Sequence, residues 1–145
     1  MLANTVLITV WVSHLSSLAF STTIVADDQK PTVSYEEVRK LKDDPKYLLI
    51  DVREPSELQE NGSIPGAINI PLNEVEPALV KLTPVEFQEK YGRDKPDKDF
   101  NIIFSCRSGR RSGIAQEKAK GLGYRNVYNY VGSWLDWEKH NKDKN

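Results

Sequence analysis

Apolar residues are concentrated in short runs separated by polar, helix-like segments, and this pattern predicts the secondary structure of the chain. Three runs are almost free of charge and are typical of buried strands, at residues 47–52, 100–104 and 126–131. Two shorter strands are predicted at residues 31–33 and 67–70, the second ending before Pro71. Strands that are apolar along their whole length are covered on both faces, which favours a parallel sheet.

Helices are predicted between these strands, and two of them start with the Ser/Thr-x-x-Glu pattern of a capping box, at Ser34 and Thr83. The predicted helices are residues 34–42, 55–60, 84–91, 112–121 and 133–140. Residues 73–81 are predicted to be weakly helical and broken at Pro77. Since strands and helices alternate, the expected class is α/β, with a mostly parallel central sheet covered by helices on both faces.

A change in composition after Ala26 separates an N-terminal segment from the domain. Residues 1–26 contain no Lys, Arg, Asp or Glu, and their apolar part resembles a signal peptide with cleavage near Ser21 or Ala26. The basic residues that usually precede such a region are absent, and a mitochondrial presequence would carry arginines. A short membrane anchor is disfavoured by interrupting polar residues, so no stable membrane span is expected in the mature domain.

The compartment stays open, because a signal-like segment and a single free thiol point in different directions. A free thiol favours a reducing compartment, mitochondrial or cytoplasmic. The segment 1–26 is therefore treated as targeting-like and excluded from the fold. The domain is expected to cover residues 31–140, followed by a disordered tail at residues 141–145.

The composition excludes several classes of function. The chain has 145 residues, the length of one ordinary domain, and a formal net charge of −1, which gives no reason to expect a nucleic-acid partner. A single cysteine excludes an internal disulfide. One cysteine and two histidines far apart in sequence, His14 and His140, do not make a zinc site, so no metal is expected.

The only cysteine, Cys106, lies at the end of a predicted strand, on the turn before the helix that begins at Ser112. Such a turn points backbone N–H groups and the positive end of the helix dipole at an anion, and a thiolate is one. Nearby Arg107, Arg110 and Arg111 favour the thiolate, and their guanidinium groups are suited to oxyanions. The pattern predicts a nucleophile in an anion-binding loop; the alternative is a small buried hydrophobic residue.

Asp51 and Arg53 are candidates for supporting this loop. They lie at the end of the predicted strand 47–52, and the carboxyl ends of parallel strands share one edge of a sheet. We expect them to brace the loop by charge and hydrogen bonds. A plain structural ion pair is the alternative.

Four motifs follow one another in the order and spacing typical of single-domain rhodaneses, a family of sulfurtransferases. They are Asp-Val-Arg-Glu-Pro at 51–55, Gly-Ser-Ile-Pro-Gly-Ala-Ile-Asn-Ile-Pro at 62–71, Cys-Arg-Ser-Gly-Arg-Arg-Ser at 106–112, and Gly-Tyr-Arg-Asn-Val at 123–127 followed by Gly132. The chain resembles this family over about residues 31–140. One departure is Ser63, where the family commonly has His; no loss of chemistry is expected, since that histidine is neither the nucleophile nor its base.

The resemblance implies a three-layer rhodanese-like α/β domain in which Cys106 takes sulfane sulfur from a small anionic donor such as thiosulfate. The resulting persulfide would pass its sulfur to cyanide, glutathione or a protein thiol. The loop side chains and amides would then hold the donor and the persulfide, at Arg107, Ser108, Gly109, Arg110, Arg111 and Ser112. No metal or organic cofactor is implied.

Two other functions use similar residues. In cysteine-dependent phosphatases and arsenate reductases, five residues separate the cysteine from an arginine that closes around the anion. Counted from Cys106, that position is Ser112, and Arg111 falls one residue short. The second alternative is a non-catalytic persulfide carrier or regulatory binding module with the same fold. The intact cysteine and arginines argue against it, because a degenerate module does not need them.

Overall fold

The structure is a computed structural model that describes residues 31–142, so the targeting-like segment 1–26 and residues 143–145 lie outside the described residues. The described part contains five strands and six helices. The strands are β1 (Thr32–Val33), β2 (Tyr47–Asp51), β3 (Ile68–Asn69), β4 (Asn101–Ser105) and β5 (Asn126–Tyr130). The helices are α1 (Tyr35–Leu41), α2 (Pro55–Asn61), α3 (Leu72–Lys81), α4 (Pro84–Tyr91), α5 (Arg110–Gly121) and α6 (Ser133–Lys142).

The strands form one parallel sheet in the order β1-β5-β4-β2-β3, which confirms the predicted α/β class. β4 and β2 lie near the middle of the sheet, and their register pairs Ser105 with Asp51. Both strands therefore end at the same edge. The turns that follow Ser105 and Asp51 are side by side, as the sequence predicts for the cysteine loop and for the Asp51–Arg53 segment.

Alternating side chains of the central strands pack into two apolar layers. Leu48 and Ile50 of β2 face a core that also includes α3, α4 and α5. Leu49 of β2 and Ile103 of β4 face a second core, which includes α1 and α6. The sheet is thus covered by helices on both faces, and this three-layer arrangement fixes the strand ends that carry the site.

Both predicted capping boxes are present. The Ser34 hydroxyl accepts the N–H of Glu37 at 3.3 Å, and the Thr83 hydroxyl accepts the N–H of Glu86 at 3.2 Å. In each case the glutamate side chain accepts the N–H of the capping residue in return. The N-termini of these two helices can therefore be predicted from the local sequence alone.

The prediction that Pro77 breaks its helix is wrong, because α3 runs without interruption from Leu72 to Lys81. Pro77 lies on the exposed face of this helix, whereas Val75, Ala78 and Leu79 are buried against the sheet. Burial of that apolar face outweighs the loss of one backbone hydrogen bond at proline.

The last helix is also longer than predicted. α6 continues to Lys142, two residues past the predicted end at His140, so the first part of the expected tail is helical. Asn141 donates from its side chain to the carbonyl of Trp137 at 2.7 Å and so closes the last turn. Of the helices within residues 31–142, none is long and apolar enough to cross a membrane.

Candidate active site

Cys106 follows β4 directly, and the chain turns within three residues into α5. The turn depends on Gly109, which has a φ of 93° and precedes Arg110, the first residue of the helix. A Cβ at this position would lie 2.3 Å from the carbonyl oxygen of Val131, so only glycine fits. The helix begins two residues earlier than predicted, and Ser112 therefore belongs to its first turn.

The sulfur of Cys106 lies inside the loop, close to several hydrogen-bond donors. The N–H of Gly109 donates to Sγ at 3.0 Å, and the hydroxyl of Ser112 lies 3.3 Å from it. Cys106 is only 1% exposed, and Ser112 is fully buried. The structure thus brings Cys106, Gly109 and Ser112 together as the sequence motif suggests, around a sulfur that is largely shielded from solvent.

These hydrogen bonds determine the acidity of the thiol. Burial by itself raises the pKa of Cys106, but hydrogen bonds from Ser112, through its hydroxyl and its N–H, and from the N–H groups of Gly109 and Ser108 act in the opposite direction. Their combined effect is larger, and the pKa of Cys106 lies below its ordinary value. The thiolate is therefore stabilised by donors at the helix N-terminus.

The three arginines of the loop have different surroundings. Arg107 and Arg110 are exposed, and neither forms an ion pair within residues 31–142. Arg111 is instead held by Glu57 of α2, with Nη1 and Nη2 donating to the two carboxylate oxygens at 2.6 and 2.7 Å. The sequence groups all three as candidate anion ligands, whereas the structure leaves two of them available for an added anion.

The Arg111–Glu57 pair also changes the titration of both partners. The hydrogen bonds from Arg111 lower the pKa of Glu57 to about 2, and the same bonds raise the pKa of Arg111. Electrostatic attraction to Cys106 also raises the pKa of Arg111, so this guanidinium favours the thiolate form of Cys106. Glu57 was not identified from the sequence, because nothing in the short helix 55–60 indicates a partner 54 residues away.

Asp51 and Arg53 form a buried ion pair below the loop. Both are almost completely buried, at 0% and 1% exposed, and Arg53 Nη2 lies 2.7 Å from Asp51 Oδ2. Arg53 also donates to the carbonyl of Gly62 at 3.0 Å, and its guanidinium lies 5.0 Å from the centroid of the Trp134 ring. Within the described chain, neither side chain hydrogen bonds to residues 106–112, but attraction to Asp51 contributes to the raised pKa of Arg111, in line with the charge part of the expected bracing.

Their link to the loop runs through Trp134. The backbone N–H of Trp134 donates to the carbonyl of Cys106 at 3.0 Å, while its ring packs on Arg53. The Asp51–Arg53 pair thus supports Trp134, whose backbone N–H contacts the loop. The sequence predicts the edge of the sheet at which this pair lies, but no sequence pattern indicates that Trp134 connects the pair to the loop.

Two further residues at the site were not predicted. Ser133, the first residue of α6, is fully buried and accepts the N–H of Cys106 through its hydroxyl at 3.1 Å. Asn129 of β5 donates from Nδ2 to the carbonyl of Gly109 at 3.1 Å. The sequence does contain a weak signal, since Ser133 follows a glycine at a strand-to-helix turn, but its contact with Cys106 spans 27 residues.

No group of three or more His, Cys, Asp or Glu side chains in the described part of the chain is arranged to hold a metal ion. The polar groups at the loop are N–H donors, hydroxyls and guanidinium groups, and these are partners of anions. The arrangement can stabilise a thiolate and bind an oxyanion beside it.

Fold and site together define a parallel α/β domain with a cysteine of lowered pKa at the N-terminus of a helix. The chain matches the model of the rhodanese-like domain over residues 34–140. It therefore belongs to the rhodanese family, as the motifs predict.

Individual relatives agree with this assignment. A rhodanese domain-containing protein of Drosophila melanogaster is 50% identical over 104 residues, covering 72% of this chain and 93% of the relative. The thiosulfate:glutathione sulfurtransferase of Homo sapiens is 41% identical over 108 residues, covering 74% of this chain and 92% of the relative. The solved structure of a human single-domain sulfurtransferase superimposes with a TM-score of 0.69 at 39% identity, covering 75% of this chain and 96% of that one.

Proposed function

We propose that this protein is a thiosulfate sulfurtransferase that works through a persulfide on Cys106 and delivers the sulfur to a thiol such as glutathione, or to cyanide. One observation carries the proposal: the Cys106 sulfur receives the Gly109 N–H and lies 3.3 Å from the Ser112 hydroxyl, in a loop that also carries two exposed arginines. Membership of the rhodanese family supports sulfur transfer as the class of reaction.

The first step is attack of the Cys106 thiolate on the outer sulfur of thiosulfate. A new sulfur–sulfur bond forms at Cys106, the sulfur–sulfur bond of thiosulfate breaks, and sulfite leaves with the electron pair. Arg107 and Arg110 would bind the sulfite oxygens, since both are exposed and neither has an ion-pair partner within residues 31–142. No general base is needed, because the hydrogen bonds already lower the pKa of Cys106.

The second step is attack of an acceptor on the outer sulfur of the persulfide. An acceptor thiolate such as that of glutathione takes this sulfur, and the Cys106 thiolate leaves. A leaving thiol departs faster when its pKa is low, so the donors around Sγ assist both steps. The human relative named thiosulfate:glutathione sulfurtransferase supports glutathione as the acceptor proposed for this chain.

A phosphatase mechanism fits the loop less well. A phosphoryl group would need an arginine that closes around it, but the residue six positions after Cys106 is Ser112, which lies against the sulfur. Arg111, one residue earlier, is already bound by Glu57. The loop therefore lacks the arginine that would close around a phosphoryl group, which favours sulfane sulfur over phosphate.

The test is a turnover assay on the purified protein with thiosulfate and either cyanide or glutathione. Wild type is expected to release sulfite and to form thiocyanate or glutathione persulfide repeatedly. Cys106→Ser is expected to form neither, because serine cannot make the persulfide. A wild-type protein that accepts one sulfur but never turns over would identify a carrier, and turnover by Cys106→Ser would refute the mechanism.

A further inference from the structure

The turn between β5 and α6 packs directly on the backbone of the Cys106 loop. Ser133 is fully buried there, and its hydroxyl accepts the N–H of Cys106 at 3.1 Å. The same hydroxyl donates its hydrogen to the carbonyl of Tyr130 at 2.6 Å. Because both bonds go to backbone groups, Ser133 joins the end of β4 to the end of β5 at the position of the nucleophile.

The next two residues of α6 extend this contact. The N–H groups of Trp134 and Leu135 donate to the carbonyl oxygens of Cys106 and Arg107, at 3.0 and 3.1 Å. N–H groups in the first turn of a helix have no partner inside the helix, so these two carbonyls act as the cap of α6. The helix N-terminus and the loop therefore stabilise each other.

This docking sets the direction of the loop N–H groups. In a trans peptide the N–H points away from the preceding carbonyl. When the carbonyl of Arg107 is directed at α6, the N–H of Ser108 is directed to the opposite side, and this N–H is among the groups that lower the pKa of Cys106. Contacts on the α6 side thus orient donors on the sulfur side.

The backbone of Ser133 is unusual as well. Its φ is 52°, the only positive φ of a non-glycine residue in the part of the chain that the structure describes. Residues with a Cβ adopt this conformation at an energetic cost, and such conformations persist where surrounding contacts compensate. The two hydrogen bonds of the buried hydroxyl are the compensating contacts at this position.

We propose that Ser133 is a positioning residue that holds the Cys106 loop in the conformation whose N–H groups face the sulfur. The inference rests on the proposed function, since it concerns how the same cysteine is kept reactive. Ser133 acts through the backbone: its Oγ lies 3.8 Å from Sγ, farther than from the Cys106 N–H and the Tyr130 carbonyl that it binds.

Substitution of Ser133 leaves every charge around the loop unchanged. The charged groups on the surrounding elements include Arg107, Arg110 and Arg111 on the loop and α5, Asp51 at the end of β2 with Arg53 after it, Glu57 on α2, and Asp136 on α6. A changed titration of Cys106 in a Ser133 variant therefore reports its hydrogen bonds and not a new or lost charge.

The experiment measures the rate of Cys106 alkylation by iodoacetamide against pH, on the full chain and without any sulfur substrate. Ser133→Ala removes the hydroxyl and keeps a Cβ at positive φ; Ser133→Gly removes the hydroxyl and the strain together. Both variants are expected to raise the apparent pKa of Cys106 and to lower the alkylation rate at neutral pH by about threefold to tenfold, the range for a lost hydrogen bond. Ser34→Ala is the matched control, because it also removes a serine hydroxyl that accepts a backbone N–H, and this hydroxyl bonds to Glu37 of α1 and not to the loop.

Two results would overturn the inference. One is a Ser133→Gly titration identical to wild type, which would leave the hydroxyl without a role. The other is an equal shift in Ser133→Ala and Ser34→Ala, which would indicate general destabilisation. Because alkylation does not involve sulfur transfer, a chain that alkylates as expected but transfers no sulfur would refute the proposed function and not the role of Ser133. Ser133→Gly keeps the test decisive if the strained alanine variant does not fold.

Discussion

Arg111 and Glu57 form a bidentate ion pair that connects the first turn of α5 to α2, with N–O distances of 2.6 and 2.7 Å. Arg111 lies five residues after the nucleophile and directly before Ser112, so this pair anchors the helical turn that carries the Ser112 hydroxyl, which lies 3.3 Å from the sulfur. It also separates the roles of three neighbouring arginines. Arg111 is committed to Glu57, whereas Arg107 and Arg110 carry charge that no described residue neutralises.

The first prediction concerns donor binding by these arginines. Arg107→Ala and Arg110→Ala are each expected to raise the KM for thiosulfate by about fivefold, which corresponds to about 1 kcal/mol for one exposed charged hydrogen bond. The alkylation titration of Cys106 should change much less, because its main donors remain. Steady-state kinetics at varied thiosulfate concentration measure the effect. Arg125→Ala is the charge-matched control at the opposite edge of the sheet, and an equal KM change there would contradict a local role.

The second prediction concerns acid stability. The pKa of Glu57 is lowered from 4.5 to about 2 in the folded protein by its bonds to Arg111, so the folded state favours the charged form. The stability from this pair is fully present above pH 4.5 and is lost as the pH falls through about 2. Glu57→Gln is therefore expected to lower Tm at pH 7, and its difference from wild type should shrink on acidification. Thermal unfolding at both ends of this range gives the answer, and a difference independent of pH would speak against the assignment.

Gly109 provides a third prediction, with a control that the chain itself offers. Gly109 and Gly123 have nearly equal φ values, 93° and 91°, but a Cβ would strike the carbonyl of Val131 at Gly109 and meet nothing within 4 Å at Gly123. Gly109→Ala is expected to abolish most sulfur transfer, because the loop must move to admit the methyl group. Gly123→Ala introduces only backbone strain, which lowers the free energy of unfolding by about 1–2 kcal/mol, and the variant should keep its activity.

Activity and Tm of the two alanine variants distinguish strain from collision. Equal losses of activity would show that the close approach of Val131 to the loop has no importance for the chemistry. A larger loss of activity in Gly109→Ala would show that the loop cannot admit the methyl group beside the Val131 carbonyl and still support the chemistry.

The buried Asp51–Arg53 pair gives a fourth prediction. Removing one partner leaves a buried charge, so Arg53→Met is expected to lower the free energy of unfolding by about 3–5 kcal/mol. Asp51→Leu together with Arg53→Met removes both charges and should be less destabilised than Arg53→Met alone. Denaturant unfolding of the two variants measures this difference. If the double variant were the less stable of the two, the pair would contribute net attraction beyond its desolvation cost.

Much of the fold could be predicted because its determinants are local. The capping boxes at Ser34 and Thr83 each place the start of a helix within a few residues, and both are formed in the structure. The uncharged runs in β2 and β4 reflect burial on both faces of a parallel sheet. The predicted break at Pro77 is wrong because a proline weakens a helix only locally. The burial of Val75 and Leu79 that outweighs this effect depends on tertiary packing, which the local sequence does not show.

The site was only partly predictable for the same reason. Cys106, Gly109 and Ser112 are close in sequence, and the strand-to-helix turn places them together. Glu57 and Ser133 reach the loop from elements 54 and 27 residues away in sequence, and no short pattern encodes those contacts. The sequence therefore indicates which residue reacts, and the long-range contacts show what holds it in place.

The most direct measurement for the central claim is the intact mass of the full chain after treatment with thiosulfate and removal of excess reagent. Wild type is expected to gain the mass of one sulfur atom, located on Cys106 by peptide mapping and lost on addition of cyanide. Cys106→Ser should gain nothing. An unmodified wild-type protein, or a sulfur adduct at any residue other than Cys106, would contradict the account.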